Sequence, residues 1–172
     1  METYSEKIMR VRRAYQEAHA RFVKRLTEAS AEAAARVPEG EGWSAAQIGW
    51  HVAAVDASFA GLVSGEIPGA KELPDGVSAK PWSEILAAIP GKLEAGKRVQ
   101  PPAAASRDDV LKALSDAASK MDAALAGLTE ERGRRYVITH PVIGTVALAD
   151  IGDWATAHTI RHNAQAKRTL GA

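Results

Sequence analysis

The sequence contains no cysteine. That excludes disulfides, thiolate metal ligands and a cysteine nucleophile, so any thiol chemistry needs a thiol brought in from outside the chain. An excess of one charge is also missing: 22 Lys and Arg face 21 Asp and Glu, for a formal net charge of +1. Aromatic residues are only 5% of the chain and do not interleave with a basic stripe, so there is no electrostatic footprint for nucleic acid. "RVRR" at 10–13 and "RGRR" at 132–135 read as short patches of solvated surface. No apolar run approaches the roughly 18 residues of a membrane span. The opening "METYSEKIMRVRR" is charged from its second residue and lacks the apolar core of a signal peptide. The expectation is a cytoplasmic protein with no membrane and no nucleic-acid partner.

What is present suits a globular fold. With 46% hydrophobic and 25% charged residues, a chain of 172 is expected to form one domain over 1–172 with a substantial core. Four segments carry helical periodicity. The first spans about 5–36, with Ile8, Val11, Tyr15, Phe22 and Leu26 recurring at three- and four-residue steps until Pro38. The second starts at a capping box, Ser44 with Gln47, flanked by Trp43 and Ile48 at the positions of a hydrophobic staple, and should stop near Gly65.

Residues 65–81 are rich in Gly and Pro and read as loop, and 82–98 as helix in pieces broken at Pro90-Gly91. A third helix covers about 107–128 and a fourth about 148–170, with "RRYVITHPVIGTV" as an extended connector between them. Asp150 in the first turn of the fourth helix and Lys167 and Arg168 in its last suit the helix dipole. The pattern predicts an all-α four-helix bundle with a long connection between the second and third helices.

"WATAHTIRHNAQ" at 154–165 holds two histidines four apart. At about 100° per residue, His158 and His162 share an arc of about 80° with Leu148, Ile151 and Ala155. His51, on the second helix, lies within about 60° of Ile48 and Val55. All three therefore lean toward the core. An i, i+4 pair can reach one ion, and a third imidazole from a facing helix would leave a fourth position open, as in catalytic zinc sites. A lone core histidine is more often a hydrogen-bonded core residue than a ligand. Three of them on two helices change that balance, because one metal would give three buried rings a partner at once. His19, on the apolar stripe of the first helix, takes the plain core reading and is the first substitute should a ligand fail. His140, before Pro141, reads as a turn residue. Asp56 and Asp153 lie off the ligand faces, and Gln165 is closer in angle.

"GWSAAQIGWHVAAVD" followed far downstream by "HPVIGTVALADIGDWATAHTIRHNAQ" resembles the DinB/YfiT-like superfamily. The likeness follows the helix order over nearly the whole chain and is specific in these two segments. It carries little of 65–105. The resemblance implies a four-helix bundle whose divalent metal, zinc or nickel most often, is held by His51, His158 and His162. It also implies a homodimer. Ala147 departs from the Thr or Ser that often caps the last helix of relatives, and a frayed first turn is expected there. Relatives include S-transferases using bacillithiol, mycothiol or glutathione. The implied function is a metal-dependent transfer of such a thiol to an electrophilic small molecule. A metal-dependent hydrolase, a non-enzymatic metal-binding stress-response protein and a purely structural bundle are the alternatives. Metal affinity should fall as pH drops through the histidine range, about 6.5 for an unperturbed imidazole, because ligation needs the neutral ring.

Overall fold

Thr3 opens the first helix, α1 (Tyr4–Glu28), through a capping box with Glu6. Its buried face is the stripe Ile8, Val11, Tyr15, Phe22 and Leu26. The computed structural model describes residues 1–40 and 42–171. The helix expected over 5–36 is broken. Ala29 leaves α1 in an extended conformation, and Ser30 accepts a hydrogen bond from the Ala33 amide to start the short α2 (Ala31–Ala35). A serine side chain that competes for backbone amides ends one helix and caps the next.

The second predicted start holds. Ser44 and Gln47 exchange both capping-box hydrogen bonds at the head of α3 (Ala45–Ser64). Gly65, with φ 87°, closes it in the left-handed conformation that favours glycine. Then follow β1 (Lys71–Glu72), α4 (Trp82–Ala88) and a 3-10 turn at Lys97–Val99. Ser106 caps α5 (Arg107–Ala126), and after it come α6 (Glu130–Arg135), β2 (Tyr136–His140) and β3 (Gly144–Ala147). A 3-10 turn, Leu148–Asp150, leads into α7 (Ile151–Thr169) with no side-chain cap; its residues are buried, so an ordered turn stands where a frayed one was expected. Asp150 is instead bound by Lys7.

Each of α1 and α3 packs against both α5 and α7. Apolar residues from these helices form two clusters along that frame. Tyr15, Met121, Leu125, Ile151 and Trp154 belong to one, and Phe22, Ile48, Val52, Val110 and Leu114 to the other. Gly152 allows α7 its close approach to α1, since a Cβ there would lie 2.3 Å from Val11 Cγ1.

The protein is mostly helical, consistent with the all-α expectation, but it is more elaborate than a strict four-helix bundle. Among the described residues there are three short helices besides the four long ones, and a three-stranded antiparallel sheet. The connector expected at 134–146 folds as a hairpin: Val137 pairs with Ala147 and His140 with Gly144, while Lys71 pairs with Val137 on the other edge. Gly144, at φ 93°, supplies the backbone reversal. Arg135 fastens β1 by hydrogen bonds to Glu72, Asp75 and the Leu73 carbonyl. Among the described residues no helix is long and apolar enough to cross a membrane.

Candidate metal centre

α3 contributes His51 and α7 contributes His158 and His162. Each offers a ring nitrogen, and the three nitrogens lie within 4.8 Å of one another. His51 Nε2 and His158 Nε2 are 3.1 Å apart. Two nitrogens each about 2.1 Å from one ion, at octahedral to tetrahedral angles, would stand roughly 2.9–3.4 Å apart. The spacing of that pair fits a shared ion.

Hydrogen bonds orient two of the rings. His51 Nδ1–H donates to the Val99 carbonyl at 2.7 Å. His162 Nδ1–H donates to Gln165 Oε1 at 2.8 Å. Both tautomers leave Nε2 as a lone pair, and a metal-binding imidazole is commonly oriented by a donor bond from its other nitrogen. His158 differs, because its Nδ1 is buried without a hydrogen-bond partner. With His51 Nε2 unprotonated and 3.1 Å from His158 Nε2, a cation between the rings would give those two nitrogens a partner. The donor set is three neutral imidazoles, suited to zinc, nickel, copper or iron.

Burial decides how the rings titrate. It pushes His158 well below the ordinary histidine range, with the neighbouring His162 and His51 adding to the effect. It takes His162 down to about 4, His51 again contributing. His51 is lowered by burial too, partly offset by its bond to Val99. Burial thus favours the neutral, metal-binding form of each ring and moves proton competition below the pH of an ordinary histidine.

The cluster opens on a cleft of about 960 Å³. Trp43, Phe59 and Trp154 supply apolar wall; Lys92, Arg161 and Arg168 supply positive charge. Among the described residues Glu94 is the one acid lining it. Arg161 reaches across to the Gly91 carbonyl at 2.8 Å, joining α7 to the connection after α4. Gln47 secures the far end of that connection, donating to the Pro102 and Ala103 carbonyls at 2.7 and 3.2 Å. A helix cap thus also helps place Val99 over His51.

The three predicted histidines come together, and the other candidates do not join them. His19 Nε2–H donates to the Leu114 carbonyl at 3.0 Å, as a core histidine would. Asp153 faces Arg10, 3.4 Å away. Asp56 accepts from the Tyr15 hydroxyl at 2.8 Å. Gln165 supports the cluster, through His162. Sequence reasoning missed Val99, whose contribution is a main-chain carbonyl and leaves no mark on residue type.

A mostly helical frame with an internal three-histidine cluster that could hold a divalent metal is the class of protein the fold and site define. Residues 14–166 match the family model of the DinB superfamily, and the chain belongs to that superfamily. No curated protein matches it. Among solved structures it is similar in fold to a conserved protein from Enterococcus faecalis, at 17% identity and TM-score 0.63, over 94% of each chain.

One substitution tests the supporting bond. Gln165→Ala is expected to weaken metal binding by about ten- to a hundredfold, the usual worth of a partner that orients a ligand. Competition with a chromophoric chelator measures it. Unchanged affinity would mean that Gln165 does not hold the His162 ring.

Proposed function

We propose that the protein is a metal-dependent transferase that joins a low-molecular-weight thiol to an electrophilic small molecule, with His51, His158 and His162 as the metal ligands. The observation that carries this reading is the cluster itself: three imidazoles with two Nε2 lone pairs freed by donor bonds, beside an open cleft. Zinc or nickel is the metal favoured, and a cytoplasmic homodimer the form. A divalent ion bound there supplies Lewis acidity, lowering the pKa of an incoming thiol.

The chain's own residues do the rest. Val99 and Gln165 hold two rings in the tautomer that presents Nε2. Trp43, Phe59 and Trp154 exclude water from an apolar substrate body. Three basic side chains against one acid favour an anionic cosubstrate, which suits thiols of the glutathione or bacillithiol type. The absence of cysteine requires the thiol to come from outside.

Glu94 favours a second reading, metal-dependent hydrolysis, because a carboxylate in the cleft is where a general base for water would stand. One experiment separates the two. Zinc- and nickel-loaded protein is incubated with monobromobimane and each of the common cellular thiols, and with p-nitrophenyl esters without thiol. Conjugate formation that exceeds the uncatalysed rate and requires metal supports transfer. Ester turnover alone supports hydrolysis, and the absence of conjugates with every thiol overturns the transferase reading.

A further inference from the structure

His140 ends β2 on the cleft wall. Its Nδ1 accepts two backbone hydrogen bonds, from the Val142 amide at 3.1 Å and the Ile143 amide at 3.2 Å. An imidazole nitrogen that accepts carries no hydrogen, so the neutral ring's one proton sits on Nε2. The turn that the sequence explains by Pro141 therefore sets the tautomer of the histidine before it. Nε2–H has no partner among the described residues' side-chain hydrogen bonds, and the ring lines open volume.

The surroundings say what such a donor would meet. The His140 ring stands edge-on to Trp154, with centroids 5.8 Å apart. Trp154 is itself packed by Phe59 at 4.7 Å and stacked with Trp82 at 6.4 Å, so its ring is held from several sides. It precedes His158 by one turn of α7, about 6 Å along the axis. The cleft thus runs from the histidine cluster, over a fixed aromatic surface, to a fixed hydrogen-bond donor.

We propose that His140 Nε2–H is a ligand-binding donor, and that the ligand is a flat apolar molecule carrying a carbonyl-type oxygen. The apolar body lies on Trp154 and Phe59, and the oxygen accepts from His140. This rests on the cleft being the ligand site assigned above, and it deepens that reading by naming the electrophile's class. It does not depend on a metal being bound.

The test uses metal-free and zinc-loaded protein, with tryptophan quenching as the readout and two probes of one shape. 2-Acetylnaphthalene has the oxygen; 2-isopropenylnaphthalene has a methylene in its place. Wild type should bind the ketone about tenfold more tightly, the worth of a well-made hydrogen bond. His140→Asn keeps an oxygen where Nδ1 accepts the two amides but removes the distal donor. It should keep the wild-type melting temperature and the alkene affinity, and lose the preference. His140→Gln returns an N–H₂ near the Nε2 position and should restore part of it even if the hairpin is weakened. Equal binding of the two probes by wild type, no binding of either, or a preference that survives in His140→Asn overturns the proposal. Because the preference is measured without metal as well as with it, a failure of metal binding would be seen separately.

Discussion

The His158→Ala/His162→Ala double variant will fold and will carry no metal, while the wild-type protein purified without chelator carries about one equivalent of zinc or nickel. The two side chains supply two of the three ring nitrogens within 4.8 Å of each other. Loss of a partner that merely orients a ligand is worth about ten- to a hundredfold in affinity, so loss of two ligands should exceed a thousandfold. Folding should survive because the rings are not what holds α7 in place. That helix is buried through Ile151, Trp154, Ala155 and Ala166, and Gly152 seats it on α1. Removing two imidazoles whose burial holds them neutral also removes an acid liability. The stability of the metal-free double variant relative to metal-free wild type should therefore rise as pH falls below about 6.5, where ordinary histidines start to protonate, on top of a pH-independent packing cost. Elemental analysis and a thermal melt with and without chelator check both statements. Equal metal in variant and wild type would remove the basis of the transferase reading.

How far the sequence carried this site depends on what kind of group each contact uses. His158 and His162 were legible because an i, i+4 pair on a helix face is a pattern of side chains, and Ile151 and Ala155 mark that face as inward. His51 was legible because Ser44 and Gln47 fix where α3 begins, and the start sets the phase of every later residue. Gly65 marked the end of α3 for a reason of backbone conformation peculiar to glycine. Ser30 was harder, since the apolar stripe of α1 continues past it and only a local hydrogen bond interrupts the helix. The hairpin was harder still. β2 and β3 are five and four residues long, too short for alternation to declare itself beside four long helices. Val99 and the two amides that His140 accepts were not legible at all, because main-chain groups are the same at every position. These contacts fix the tautomers of His51 and His140, so the chemistry of the cleft depends on atoms that residue identity does not report.

Stability will fall as pH rises from about 4 to 7 in wild type relative to Asp56→Asn. Asp56 is fully buried in the core and accepts from the Tyr15 hydroxyl through Oδ2, while Oδ1 has no partner. Burial raises its pKa to about 7, the Tyr15 bond opposing the shift. Burial, with the neighbouring Asp56 adding to it, pushes the Tyr15 hydroxyl above its ordinary range. A carboxyl whose folded pKa is above its unfolded value holds its proton more tightly when folded. Its contribution is complete below the unfolded value near 3.8 and is lost as pH climbs through about 7. A shift of this size corresponds to about 4 kcal/mol, an upper figure for a group free to relax. Asparagine keeps an oxygen for Tyr15 and cannot ionise. It also places an N–H₂ in the buried site, so the absolute gain at pH 8 is smaller than that figure. The informative quantity is the difference between variant and wild type across pH, by urea unfolding of metal-free protein. The buried histidines act in the opposite direction, losing stability as pH falls below about 6.5, but they are present in both proteins and cancel in the difference. A difference that grows by a few kcal/mol from pH 4 to 8 places a neutral carboxylic acid in the core at the pH where the histidine cluster is neutral too. A flat difference would mean that Asp56 ionises at its ordinary pH and that Oδ1 has found a partner, water being the obvious one.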